Sequence, residues 1–320
     1  MTTIGDERMK SQIRHGSRLQ TQSLRRRGRR RIGESLIAGL LFACALVSIV
    51  TTLAVVLVLS VETLGFFREV SIVEFFTNPE WTPLFLDRNF GIAPLVSGTL
   101  LVTTIAVAVG APLGLGAACY LSEFADVRQR RRILPVIELL AGIPTVVLGY
   151  FALLFVTPLL RDVISGVDLF NPLSAGIVMG FMILPTICSV SVDAMQAVPR
   201  SLREAAYGLG AAKHQLVLRV VIPAALSGIV ASLILAVSRA IGETMIVTLA
   251  AGQRPDLHFD PRKTIATMTS FVVQAATGDQ PAGSVAARSL YAVASTLFVM
   301  TLALNLTAQA IVRRFREAYA

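Results

Sequence analysis

The sequence predicts an all-α polytopic membrane protein with six transmembrane helices and both termini in the cytoplasm. Three observations lead there. Of its 320 residues, 54% are hydrophobic and 15% charged, with a mean hydropathy of +0.69, whereas soluble domains are about 25% charged. The apolar residues gather in six windows, roughly 35–61, 94–121, 134–160, 173–196, 223–250 and 288–312, each long enough to supply the ~20 helical residues that cross a bilayer core. Lysine and arginine fall unevenly between those windows. No window alternates with period two, and unpaired backbone is too costly in hydrocarbon, so each reads as helix and not as barrel strand.

The first window follows a basic tail, residues 1–33, whose polar, arginine-rich composition predicts disorder. The tail reads as a topology determinant drawn to anionic lipid, at about 1 kcal/mol per basic residue near the surface. Nucleic-acid binding is the sharper reading, but interleaved aromatics are missing, so no nucleic-acid partner is expected. Leu36 to Val61 carries no charge. That is longer than the roughly 7–15 residues of a signal-peptide core, and no small-residue cleavage site follows, so 34–61 reads as a retained first helix.

Between the first two windows, residues 62–93 hold Phe66, Phe67, Phe75, Phe76, Trp81, Phe85 and Phe90. Aromatic rings favour the headgroup level, so part of this outside segment is expected on the membrane surface. The core of spans then runs over 94–312. Pro144, Pro158 and Pro185 are expected to interrupt the hydrogen-bond ladder inside the third and fourth spans. After the fifth span, 251–287 carries Pro255, Pro261 and Pro281 with mixed charge and reads as an exposed loop, and 313–320 is a short cytoplasmic end.

Orientation follows from counting basic residues between spans. The tail, the second and fourth connections and the C-terminus hold 21, against six on the other side. That bias puts the first group in the cytoplasm and requires an even number of spans. Cys44, Cys119 and Cys188 lie in or beside apolar runs without a C-x-x-C spacing and read as packing residues. His15, His214 and His258 have no ligand spacing, so no metal is assigned.

The fourth connection, 197–222, is unlike the others. Ser201 and Glu204 have capping-box spacing, and Leu202, Ala205, Ala206 and Leu209 recur with helical period. Gly208 and Gly210 permit a sharp turn, a second helical stretch follows from Ala211 to Arg219, and Pro223 starts the next span. The prediction is a helix-turn-helix knob on the cytoplasmic face.

This stretch resembles the EAA loop of ABC importer permeases: Glu204, Ala205 and Ala206, then Gly210, then Val220, Ile222 and Pro223 match its spacing throughout. Valine and isoleucine stand where the family pattern has isoleucine and leucine. The resemblance implies a type I ABC importer permease bundle of MetI-like fold. It also implies that Glu204, Ala205, Ala206, Gly210 and Pro223 form the element that docks on an ATP-binding subunit.

Arg239 and Glu243, four residues apart in the fifth window, are candidate substrate-pathway residues. Ionisable groups at membrane depth are costly and tend to face a cavity, and a guanidinium fork suits a phosphate-like oxyanion. Arg239 is expected to pair with Glu243 at rest and with the anion in passage; a structural ion pair between helices is the alternative. Glu138 is a further candidate, lining either the pathway or an interhelical contact. Ser238 to Met245, Glu138 to Pro144, Tyr120 to Glu123 and Phe90 to Thr99 are similar to phosphate importer permeases, and closer to the PstC type than to its sister PstA type.

That similarity implies a heterodimer with a PstA-type permease, two ATP-binding subunits, a phosphate-binding protein on the outer face, and phosphate as the transported ligand, all in the cell inner membrane. No G-x-x-x-x-G-K-[ST] run occurs in the chain, so it is expected to be no enzyme itself and to carry no cofactor, with ATP bound by the partner subunits. The rival readings are a permease for another oxyanion such as sulfate, molybdate or phosphonate, an ion-coupled secondary transporter, and a membrane sensor without transport.

Overall fold

The computed structural model describes the backbone over 4–85, 88–281 and 283–315, and side chains within those bounds from 36 to 310. The chain divides into two units, 1–58 and 59–320. The first is supplied by α1 (Ile4–Phe67), whose final turns begin the second. Helix extends back to Ile4 through the tail that composition led us to expect without structure. Arginine, glutamine and leucine are good helix formers, and no proline interrupts them there. The expected C-terminal segment from 313 lies outside the described residues beyond Phe315.

In the second unit, after the short α2 (Ile72–Thr77), α3 (Ala93–Phe124), α5 (Thr145–Val163), α6 (Pro172–Gln196) and the apolar part of α12 (Val285–Phe315) are long and apolar enough to cross a membrane, as is Leu36–Phe67 of α1. Among the described residues, a sixth crossing is available only as a bent pair, α8 (Lys213–Ala224) and α9 (Leu226–Ile241), which meet at 71°. Two expected spans are therefore re-cut. The third begins at Thr145, because Gly142 and Pro144 separate it from the amphipathic α4 (Val127–Ala141). The fifth ends at Ile241, and after a break at residues 242–244 the short α10 (Met245–Ala250) follows.

Proline accounts for part of this. Pro144 does not kink a span but stands just before α5, where its missing N–H is harmless. Pro158 and Pro223 each follow a π turn, Ala152–Val156 and Val217–Val221, by two residues. A wider turn gives the ring room against the preceding carbonyls. Pro185 lies inside α6, as expected.

The centre of this unit is α3 against α6. A Cβ added to Gly110 would stand 2.7 Å from the Gly180 carbonyl oxygen, and one on Gly176 2.7 Å from Ile105. Glycines four apart on both helices thus let the backbones approach closely, the small-residue contact that packs helices without a hydrophobic drive. Hydroxyls join the neighbours: buried Ser191 to Ser232 at 2.9 Å, between α6 and α9, and half-buried Ser238 to Asn305 at 2.6 Å, between α9 and α12.

The two long connections differ from expectation. In the first, Phe66, Phe75, Trp81 and Phe90 are buried against one another and against Phe271, while Phe76 and Phe85 stay exposed. Trp81 meets Phe271 edge to face at 4.9 Å, and a β-bridge joins Trp81 to Phe90. Phe271 belongs to α11 (Met268–Thr277), inside the stretch expected to be an exposed loop. Rings packed edge to face gain both burial and a quadrupole contact. Residues 260–264 are laced to the segment before α6: the Asp168 carboxylate accepts from Thr264 N at 3.1 Å and pairs with Lys263 at 3.4 Å.

Candidate functional site

The knob is formed as the spacing requires, with different details. Helix α6 ends at Gln196, Pro199 turns the chain, and α7 (Arg200–Gly208) starts at once. The helix therefore begins one residue before Ser201, and the cap position is Pro199, which offers no side-chain acceptor. The expected capping box of Ser201 and Glu204 does not form.

Ala206 is buried and Leu202 half-buried against Leu121, Met195 and Leu216, while Glu204, Ala205, Tyr207 and Leu209 are exposed. Leu209, which shares the helical period of Leu202 and Ala206, is 90% exposed. It stands at the tip of the turn, after the helical repeat has ended. Gly210 has φ of 79°, the left-handed conformation that its position demands. Its N–H donates to the Tyr207 carbonyl at 2.9 Å, and the Ala211 N–H to Ala206 at 3.1 Å. This paired closure is a Schellman cap. Gly208, by contrast, is an ordinary last helical residue. Gln215 then accepts from Ala212 N at 3.0 Å and starts α8, which carries Pro223 in its last turn.

One contact of the knob went unread in the sequence. Arg203 Nη1 lies 2.6 Å from both carboxylate oxygens of Glu123, and its Nη2 donates to the Met195 carbonyl at 2.7 Å. Glu123 is only 5% exposed. The available signal was that Glu123 is the first charge after the uncharged run 93–122. Such an acid is expected to have a buried partner.

Arg239 and Glu243 are not paired. The helix that would set them on one face ends at Ile241, so the i, i+4 relation is lost. Glu243 Oε1 instead accepts from Met245 N at 3.1 Å and Ile246 N at 3.4 Å, satisfying the first amides of α10. Arg239 Nη1 reaches Thr186 Oγ1 on α6 at 3.5 Å. Glu138, on α4, accepts from Ser189 Oγ of α6 at 3.4 Å. Arg239 and Glu138, far apart in sequence, thus reach hydroxyls three residues apart on one helix. Both are exposed in this chain. A charged side chain exposed on a span, as Arg239 is on α9, requires a water-filled or protein-covered surround.

Residues 110–317 match the family described as binding-protein-dependent transport system inner membrane component. The chain is 36% identical over 261 residues to the protein named probable ABC transporter permease protein YqgH of Bacillus subtilis, covering 81% of this chain and 84% of that one. It is 32% identical over 251 residues to the phosphate transport system permease protein PstC of Mesorhizobium japonicum, covering 72% and 76%. In fold it is similar to a chain of a bacterial ABC transporter involved in the import of the acidic polysaccharide alginate. There the TM-score is 0.61 at 15% identity, over 87% of this chain and 96% of that one.

Proposed function

The chain belongs to the binding-protein-dependent transport system inner membrane components, as an ABC importer permease of the PstC type in the inner membrane, and on that premise we propose that it forms half of a pathway for inorganic phosphate. The other half is a PstA-type permease. Of two ATP-binding subunits, one docks on the knob at Glu204, Ala205, Ala206 and Gly210, with Pro223 ending the element, and a phosphate-binding protein delivers the anion from outside. Both termini and the knob face the cytoplasm, in keeping with the basic residues of the sequence.

The observation that supports the substrate reading is that two exposed charged side chains, Arg239 and Glu138, reach the half-buried hydroxyls of Thr186 and Ser189 on α6. Arg239 is free of any carboxylate among the described residues, so its fork of donors is available to an oxyanion. Glu138 borders the same stretch. Glu243 shapes the pathway by holding the break between α9 and α10 rather than by neutralising Arg239.

The test is uptake by the reconstituted complex with its binding protein, comparing radiolabelled phosphate with sulfate, molybdate and a phosphonate. Phosphate should be the preferred anion, and uptake should stop when ATP is withheld. Arg239→Ala should abolish uptake while the complex still assembles. Normal phosphate uptake by that variant would remove Arg239 from the pathway.

A further inference from the structure

We propose that the π turn at the end of α3, Tyr120–Phe124, is the seat through which motion of the knob reaches the spans. Two adjacent residues of that turn hold both limbs of the knob. Glu123 receives Arg203 of α7, and the Phe124 ring receives Lys213 of α8, whose Nζ stands 5.1 Å from the ring centroid. Ser122 Oγ donates to Glu123 Oε1 at 2.9 Å and orients the carboxylate.

The geometry suits transmission. A single guanidinium ties three elements together: α7 through its own backbone, α3 through Glu123, and the end of α6 through the Met195 carbonyl. Helices α3 and α6 approach too closely at their glycines to slide independently. A displacement of α7 is therefore delivered to both at once. The seat itself is closed by a wide turn, with Ala125 N donating to the Tyr120 carbonyl at 2.8 Å. Such turns interrupt the regular ladder and recur at functional positions. Burial makes the pair demanding: the Glu123 side chain is only 5% exposed, so little water can replace Arg203 and separating the two is costly.

Glu123 and Arg203 are positioning residues in this proposal, which rests on the reading of the knob as the docking site of the ATP-binding subunits. The experiment uses the whole complex in proteoliposomes and measures phosphate moved per ATP hydrolysed. In Glu123→Gln that ratio should fall by roughly 2- to 30-fold, the range of mutations along a coupling route, with complex yield retained. Arg203→Lys keeps the charge but gives up the fork, and should lie between wild type and Glu123→Gln. A staple that only stabilises the fold would change yield or melting temperature and leave the ratio alone, so an unchanged ratio in assembled Glu123→Gln overturns the proposal. Should Glu123→Gln fail to assemble, Lys213→Gln decides, because it removes one exposed contact: a lowered ratio supports the seat, an unchanged one overturns it. A wild-type chain that recruits no ATP-binding subunit removes the docking reading together with this one.

Discussion

Glu243 shows how far a single residue could be read in advance. The sequence places an arginine and a glutamate four apart in an apolar window, and helical spacing then suggests mutual neutralisation. What it does not show is that Gly242 ends the helix between them, which turns Glu243 from a side-chain partner into an acceptor for the amides of Met245 and Ile246. The consequence is measurable. Glu243→Ala should lower stability by about 1 kcal/mol, the usual cost of losing such an acceptor. Glu243→Gln keeps an amide oxygen in place and should melt in detergent close to wild type while still taking up phosphate. Loss of uptake in a stable Glu243→Gln would return the charge itself to the mechanism. The Arg203–Glu123 contact was hidden for another reason: its partners are 80 residues apart, and local spacing carries no information about them.

Among elements, the knob was the most legible, because turn chemistry is local. A glycine followed by a new apolar period announces a left-handed cap, and Gly210 supplies it. A Cβ there meets no neighbour, so the penalty for replacing it is purely conformational. Gly210→Val should cost about 1–3 kcal/mol of local strain and let ATP hydrolysis proceed without uptake. Tight coupling in that variant would discredit the turn as part of the docking element. The spans were less legible, since a hydropathy window reports composition and not continuity. It merged α4 with α5 and α9 with α10, across breaks that contain few residues but include Gly142, Pro144 and Gly242. The contact of α3 with α6 also escaped, because glycines in an apolar run look unremarkable until the facing helix is known. Gly180→Val would push a side chain against Val109, which a Cβ alone already approaches to 2.8 Å. Overpacking of this kind costs about 1–3 kcal/mol and should lower the melting temperature of the purified chain. An unchanged melting temperature would mean that the two helices can part there.

At the scale of the molecule, fold class was set by quantities that need no contacts: apolar content, window length and charge asymmetry. Orientation rests on that asymmetry, and it predicts where Leu209 will be found. With Cys44, Cys119 and Cys188 replaced by alanine, Leu209→Cys should react with a membrane-impermeant thiol reagent in inside-out vesicles and not in right-side-out cells. Labelling from outside would invert the topology and detach the knob from any cytoplasmic partner. The connections were misjudged because loop composition says which residues are greasy but not which distant segment they will meet. Phe66 to Phe90 and Phe271 make one core from stretches nearly two hundred residues apart.

That shared core has a consequence for how the chain is made. Synthesis proceeds from the N-terminus, and Trp81 emerges long before the ring that will cover it. Until translation has passed Phe271 and several spans have been threaded, the first aromatic segment waits unfinished. A nascent chain halted before α11 would present bare rings to quality-control proteases, and the core is complete only once α12 has added Ala292 and Val293.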